Sequence, residues 1–592
     1  MKPSIGGQGY GDNTIMRIKQ RELPQTLPSF SAYPPILQRI YAARGLSEET
    51  QIDKSFQALL PFNTLLDIDK ACVRLEHALR KQERILIIGD FDADGATSTA
   101  LAISALRVMG ATQAEFLVPN RFEFGYGLTP AIVEVAKKWQ PDLIITVDNG
   151  IASIDGVDAA NQAGIDVLIT DHHLPAEILP KACAIVNPNQ PGDPFQSKSI
   201  AGVGVIFYLM LALRRHLSNA DWFISQGVAE PNMAQFLDLV ALGTVADVVA
   251  LDQNNRILVS QGLARIRQGL CRPGIKALIE ISGRDYSRLR ENDLGFAVAP
   301  RLNAAGRLDD MSLGIDCLLC DNSEKANSFA KHLDELNHER RAIEAEMKEQ
   351  AMLAVEKLTK KIENSHHLPS ALCLVDPTWH QGVIGILAGR LKERYHRPVI
   401  AFAVVSETEL KGSARSVPGL NIRDVLAAVD KDNPGLLTKF GGHAMAAGLS
   451  MHPEAFNDFH QAFVNEVAKY LDPSQCEGEI LTDGPLQLGE LTLETALLLQ
   501  QAGPWGQQFP EPCFDNVFEI LEQRLVGQNH LKLSLAHPDG GGAFDAIAFN
   551  IDLKQWPNHR ARQAHVAYKL DLNVYQGRTR LQLVVECLEP II

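Results

Sequence analysis

The sequence predicts a multidomain α/β protein: a parallel-sheet domain, a long connecting helix, a second α/β domain and a C-terminal β-barrel. Three observations predict it. Short β-rich apolar runs alternate with helix-period stretches, once from about Leu59 and again from Ala371. A charged stretch beginning near Asn322 keeps its apolar residues at steps of three and four. From about Phe514 the tail alternates in strand fashion between glycine turns. A chain of 592 residues is also too long for one hydrophobic core.

Residues 1–50 are rich in Pro, Gly and Gln and read as an arm with little core of its own, the first fifteen as a disordered extension. Residues 51–320 form the first domain. Its strand candidates are Ile85–Ile88, Glu115–Val118, Leu143–Val147, Val167–Thr170 and Ala184–Val186, with helical stretches such as Ala100–Val108 and Pro130–Trp139 between them. Alternation of this kind gives a parallel sheet covered by helices on both faces. A helical region follows, from about Gly202 to Ile279. Residues 321–365 carry the connector, with Asn322 or Ser323 as its cap. Phe329, Leu333, Leu336, Ile343, Met347, Val355 and Leu358 line one face, either on one helix of roughly 60 Å or on two broken by a bend. Residues 366–470 hold the second α/β domain, with strands Ala371–Val375 and Val399–Val404 and a helix near Gly382–Arg394. Residues 471–592 hold the barrel, whose strands include Leu531–Leu535 and Leu581–Val585, with turns at Gly540–Gly542 and Gln576–Gly577.

Composition excludes several classes. Hydrophobic residues make up 46% and charged residues 21%, which is globular rather than disordered or fibrous. Fifty-six Lys and Arg against 71 Asp and Glu leave a net charge of −15, which argues against a uniformly basic nucleic-acid coat. The balance is local, however: Asp376–Ser450 has nine basic against seven acidic residues, and Leu521–Ile592 eight against seven. Nine cysteines suggest no disulfide framework and fit a reducing cytoplasm. The first twenty residues lack the apolar core of a signal peptide. The run Ile200–Leu213 is too short to span a bilayer, so it reads as a buried helix.

The chemistry begins at Asp90, Asp92 and Asp94 in GDFDADG, directly after the strand ILII, where open α/β sheets place their ligands. Read as extended chain, the three alternate carboxylates share one side. Such crowding is costly unless a cation neutralises it. Asp148-Asn149-Gly150 follows the next strand, Asp171-His172-His173 the one after, and Asp247 the apolar segment Phe236–Thr244. Carboxylates with imidazole suit Mn²⁺, and Mg²⁺ tolerates the same donors; so many acids suggest two ions sharing a carboxylate, as in in-line phosphoryl displacement. No thiolate joins them, which disfavours zinc. Cys317-x-x-Cys320 lacks a second pair and suits a packed helix; Gly202-x-Gly204 reads as helix packing, and His366-His367 as an exposed linker.

DFDADG, VDNG, TDHH and GTVADVV resemble, in that order, the motifs of the DHH phosphoesterase superfamily. Lys439–His443 followed by AMAAG resembles the GGH motif of the associated DHHA1 domain. PRLNAAGRL, TWHQGVIGILAGRL and KGSARS are similar to the bacterial RecJ branch, single-strand-specific 5′→3′ DNA exonucleases with a C-terminal OB fold. The resemblance implies Asp92 and Asp94 on two Mn²⁺ or Mg²⁺ ions, Asp148 as their bridge, and His172 and Asp247 completing the second. Asp90 either ligates or orients its neighbours, and His173 contacts the scissile phosphate. It further implies Arg121, Ser413 and Arg415 around a terminal 5′-phosphate and Gly442 and His443 at the nucleotide. Arg301 and Arg307 contact backbone phosphates or pair with a domain-interface acid.

In the barrel, Lys532, Arg560, Arg562, Lys569, Arg578 and Arg580 could follow phosphates while Tyr568 or Tyr575 stacks on bases. The expected product is a 5′-mononucleotide, the setting DNA repair and recombination, and the state a monomer. The implied partners are single-stranded DNA, a single-stranded-DNA-binding protein and a helicase. A different phosphoesterase of the superfamily, acting on small substrates, would explain the motifs but not the barrel. A non-catalytic scaffold would be expected to have lost carboxylates that are all present here.

Overall fold

A computed structural model describes residues 16–28, 30–119, 124, 127–361, 369–471, 478–527, 529–551, 553, 556–575 and 578–591, with backbone only for 356–361 and 574–575. Its contacts divide the chain into two units. One comprises residues 22–338 and 494–512; the other comprises 1–21, 339–493 and 513–592. Strand β1 (Met16–Gln20) belongs to the latter, and the described arm residues from Glu22 onward to the former.

In the unit of residues 22–338, β2 (Ile85–Gly89), β3 (Ala114–Leu117), β4 (Leu143–Val147), β5 (Asp166–Thr170) and β6 (Ala184–Val186) form one parallel sheet in the order β3-β2-β4-β5-β6. Strands β2, β4 and β6 are buried along their whole length, which explains their near-continuous Ile, Leu and Val. After β2 the chain moves to one side of the sheet, and after β3 it crosses to the other. The strand order therefore reverses between β2 and β4, and their carboxyl ends define the crevice. The apolar run at Ile200 is a buried helix, Gly202–Asn219, as expected.

The arm is less independent than its composition suggests. Leu37, Ile40 and Tyr41 on the helix Pro35–Ala42 are buried, and Tyr41 stacks on Phe509. Residues 494–512, which the sequence groups with the barrel, lie in this unit instead. Trp505 and Phe509 stack on each other, the Arg256 guanidinium sits 4.2 Å above Phe509, and Leu251 N donates to Gln507 O. Aromatic burial decided the placement of this short segment, which no periodicity could reveal.

The long helix is continuous from Ser323 to Lys361, and Asn322 caps it by accepting from Lys325 N at 3.0 Å. Leu333, Leu336, Met347 and Val355 are buried as the pattern requires, with Phe329 and Ile343 half-buried; the side chain of Leu358 is outside the described ones.

In the other unit, β7 (Leu372–Asp376), β8 (Val399–Ser406), β9 (Glu409–Arg415), β10 (Lys439–Gly442) and β11 (Ala446–Met451) make a mixed sheet ordered β10-β11-β9-β8-β7, with only β7 and β8 parallel. Strand β12 (Gly478–Thr482) pairs in parallel with β1. Strands β13 (Phe514–Val526), β14 (His530–His537), β15 (Gly540–Ala548), β16 (Gln563–Tyr575) and β17 (Arg578–Ile591) close the expected small barrel, with five strands. Gln576-Gly577 and His366-His367 lie outside the described residues. Among the described residues no helix is long and apolar enough to cross a membrane.

Candidate metal centre

The GDFDADG segment is not extended, so its three carboxylates converge for a different reason from alternation. Asp90 directly follows β2. Asp92 caps the helix Ala93–Val108, its Oδ1 accepting from Gly95 N at 3.0 Å. Asp94 lies in the first turn of that helix, 1% exposed, and accepts from Gly202 N at 2.6 Å and Val203 N at 2.9 Å. These amides open the helix Gly202–Asn219, whose positive end favours a carboxylate. Asn303 pins the loop by accepting from Ala93 N at 2.8 Å.

Asp148 follows β4 in a left-handed conformation, φ 61°, which turns its side chain back over the sheet end. It is buried. His172 Nε2 lies 3.1 Å from Asp148 Oδ1 and 3.5 Å from Asp247 Oδ2. Asp247 is the C-cap of the helix Leu237–Ala246. Donor atoms of Asp90, Asp92 and Asp148 lie within 4.8 Å of one another. The same holds for Asp94, His172 and Asp247, and for Asp148, His172 and His173.

Burial first, then the neighbouring carboxylates, pushes Asp94 up to about 7 and holds Asp148 and Asp247 well above the usual carboxylate range. Five clustered carboxylates and an imidazole are a hard, oxygen-rich donor set, and their mutual repulsion is what a divalent cation relieves. The residues fit such an ion.

Sequence reasoning missed three contributors. Asp171 accepts from Ile151 N, His172 N and His173 N, and its Oδ1 lies 2.7 Å from His173 Nδ1. Burial opposes protonation of His173, but the Asp171 hydrogen bond and charge, with Asp90 and Asp92, outweigh it and raise its pKa to about 9. Only its place in the DHH triplet signalled Asp171. Asn303 carried no signal beyond lying between Arg301 and Arg307. Gly202, set aside in the sequence as packing, is part of the site: a Cβ there would lie 2.7 Å from Asp148 Cβ and Oδ1.

The remaining expected residues fall elsewhere. Arg121 lies outside the described residues. Arg301 is 7% exposed, its Nη2 2.7 Å from Asp334 Oδ1 and its Nη1 donating to Ala297 O at 2.5 Å, so the alternative of an acid partner describes it. Arg307 is half-buried in the last turn of the helix that carries Asn303. In the other unit, Ser413 and Arg415 alternate along β9 and share its half-buried face. Arg415 Nη1 donates to Ser413 Oγ at 3.0 Å. Both abut Gly385 in the first turn of the helix Ile384–Tyr395, a turn with no acidic side chain. An arginine, a hydroxyl and a helix N-terminus together suit an anion. Gly442 ends β10 with φ 143°, and the exposed His443 donates its N–H to Ala446 O at 2.8 Å.

In the barrel, Arg560, Arg562, Arg578 and Arg580 are exposed, whereas Lys532 and Lys569 face Asp545 and Glu586. Tyr568 is a correction: it is fully buried and donates to Asn516 Oδ1 at 2.7 Å, so it is core and cannot stack on a base. The Tyr575 side chain is outside the described ones. Cys317 is buried in a packed helix, as expected.

Comparison with known proteins gives three family matches: the DHH family N-terminal domain over residues 84–244, the DHHA1 domain over 368–469 and the RecJ OB domain over 482–587. The chain is 52% identical over 576 residues to the single-stranded-DNA-specific exonuclease RecJ of Escherichia coli, covering 97% of this chain and 99% of the relative. It is 33% identical over 523 residues to the protein of that name from Bacillus subtilis, covering 87% of this chain and 62% of the relative. The crystal structure of Thermus thermophilus RecJ in complex with Mn²⁺ superposes with a TM-score of 0.80 at 29% identity, covering 98% of this chain and 80% of that one.

Proposed function

The chain belongs to the RecJ family of single-stranded-DNA-specific exonucleases, and from that premise we propose that it degrades single-stranded DNA from the 5′ end to 5′-mononucleotides. The reaction is phosphodiester hydrolysis with two divalent cations, Mn²⁺ or Mg²⁺. The observation that carries this reading is the place of Asp148: it belongs to one acidic group with Asp90 and Asp92, and its Oδ1 lies 3.1 Å from the His172 Nε2 of another, made with Asp94 and Asp247. One carboxylate reaching two neighbouring groups is what a bridged pair of ions needs. Asp90, Asp92, Asp94, Asp148, His172 and Asp247 would hold them. Bound there, the ions supply a nucleophilic water at neutral pH and neutralise charge on the phosphoryl oxygens.

His173 is positioned rather than ligating. With Nδ1 engaged by Asp171, its other ring nitrogen donates to a nonbridging oxygen of the scissile phosphate as negative charge builds there. Water attacks phosphorus in line, and the bond to the 3′ oxygen of the terminal nucleotide breaks. Ser413 and Arg415 recognise the terminal 5′-phosphate, with Arg121 as their partner and Gly442 and His443 at the nucleotide. Arg307 and the exposed barrel arginines follow the backbone. The enzyme acts as a cytoplasmic monomer in DNA repair and recombination, alongside a single-stranded-DNA-binding protein and a helicase.

The test is to incubate the protein with Mn²⁺ and single strands labelled at one end or the other. The 5′ label appears first as mononucleotide, and a duplex of the same sequence is spared. First release from the 3′ label, or hydrolysis of small phosphodiesters alone, overturns the reading.

A further inference from the structure

Large apolar side chains stand exposed on segments that carry the acidic centre or pack against one that does, each on a different segment. Leu174, 60% exposed, directly follows His173, and Val248, 64% exposed, directly follows Asp247. Phe296, 77% exposed, lies on the π-helical turn Leu294–Val298. Its neighbour Gly295 is so close to the helix that ends at Asp247 that a Cβ would sit 3.3 Å from Val245 Cγ1. Val248 N lies 3.3 Å from Val245 O, so Val248 and the Phe296 turn both border Val245. Seven residues on, roughly 10 Å along the axis, Asn303 holds the aspartate loop through Ala93 N.

Single exposed apolar residues are ordinary. These are not scattered, and two occupy costly backbone. Val248 has φ 60°, a left-handed conformation in which a β-branched residue is a genuine outlier. A π-turn is likewise rare and recurs at functional sites. Solubility alone would favour Gly or Asn at position 248. An exposed valine in that conformation, next to a proposed metal ligand, points to a surface with something to bind.

The occupant must be continuous with a substrate whose phosphate lies at the acidic centre and must itself offer apolar faces. Unpaired nucleobases do; in a duplex those faces are stacked away. We propose that Leu174, Val248 and Phe296 form an apolar rim on which the bases nearest the cleaved bond pack, so that single-strandedness is read at the metal centre itself. The proposal rests on the exonuclease reading above and deepens it.

The experiment compares two 5′-phosphorylated single strands of equal length, one of ordinary sequence and one carrying tetrahydrofuran abasic units at its first four positions. Wild-type enzyme should cleave the base-bearing strand at least tenfold faster in kcat/KM. In Phe296→Ala and in Val248→Ala that ratio should fall to about threefold or less, and Phe296→Trp should restore it. Both positions are exposed, so the variants should fold, and circular dichroism checks this. A wild-type ratio near one, or a ratio that survives in both variants, overturns the rim while leaving the nuclease reading intact; a rim that seats a protein instead gives the latter result. A wild-type enzyme that cleaves neither strand removes both readings.

Discussion

Each unit contains a five-stranded sheet with a helix N-terminus beside its polar residues, and the two use that arrangement oppositely. In the parallel sheet the reactive groups stand at strand ends, because every strand runs the same way and all carboxyl termini meet on one rim. There the helix Gly202–Asn219 gives its first amides to Asp94, a carboxylate of the protein, and the acidic cluster is left to attract a cation. In the mixed sheet the polar groups lie along a strand instead. Ser413 and Arg415 are two apart on β9 and share one face, and the helix beside them has no acidic residue in its first turn. One helix end is closed by an internal anion; the other adds its positive potential to an arginine, as the proposed 5′-phosphate site requires.

The largest effect is expected where the acidic rim is most crowded. Asp148→Ala should lower kcat by ~10³-fold or more, about 4 kcal/mol of barrier, while single-strand binding stays within threefold. It should also raise the melting temperature of the chelator-treated protein, since a buried carboxylate held well above the usual range by burial and by its acidic neighbours is removed. A melting temperature that falls, with activity retained within tenfold, would contradict both the bridging role and the repulsion. Gly202→Ala presses on the same group from the helix side. The added methyl lies 2.7 Å from the buried Asp148 Cβ, which cannot swing away, so kcat should fall ~10²-fold with KM little changed.

Asp171→Asn separates orientation from ligation. His173 loses the partner that holds it near 9 and should titrate closer to the ordinary histidine value in the metal-free protein, by imidazole NMR. The sign is fixed by linkage. A histidine raised in the folded state stabilises it fully below about 6.5, and that contribution fades as pH rises through about 9. Wild type should therefore lose stability between those limits and the variant should lose less, since only Asp90 and Asp92 still favour the charged imidazole there. Activity should drop ~10- to 100-fold, as for other groups that orient a reacting side chain.

These residues also mark how far the sequence could be read. Asp90, Asp148 and His172 were legible because each follows an unbroken apolar strand, and a parallel sheet converts that local pattern into a shared rim. Convergence of Asp92 and Asp94 was expected correctly but through the wrong geometry: the chain turns into a helix at Asp92, and capping rather than alternation brings them in. Gly202 acts through contacts far apart in sequence, which no motif spacing encodes, whereas Asp171 holds His173 two residues away and only the triplet itself signals it. Tyr568 was misread because strand alternation gives its face only when the barrel's closure is known, and β13 with β16 turns it inward. The segment 494–512 was misplaced because its anchors are three aromatic and cationic contacts without period.

The anion-facing region should answer more mildly, and in specificity rather than rate. Arg415→Ala should reduce the preference for a 5′-phosphorylated over a 5′-hydroxyl strand by about tenfold, the value of one charge-assisted contact, with kcat on the hydroxyl strand nearly unchanged. Equal loss on both strands would remove Arg415 from phosphate recognition.

Gly385→Ala is the matched counterpart of Gly202→Ala and the sharpest check of the comparison. Both place one methyl in the first turns of a helix, against the residue that defines the neighbouring site. At Gly385 the new carbon would lie 2.9 Å from Arg415 Nη2 and 3.0 Å from Ser413 Oγ. Those atoms end flexible, half-buried side chains, and a guanidinium can withdraw by rotating its outer torsions at a cost of ~1 kcal/mol. The expected result is about a fivefold loss of 5′-phosphate preference with kcat intact, against ~10²-fold in kcat for Gly202→Ala. If the two alanines cost the same in kcat, the acidic rim is no more rigid than the anion-facing strand, and the contrast between a closed and an open helix end fails.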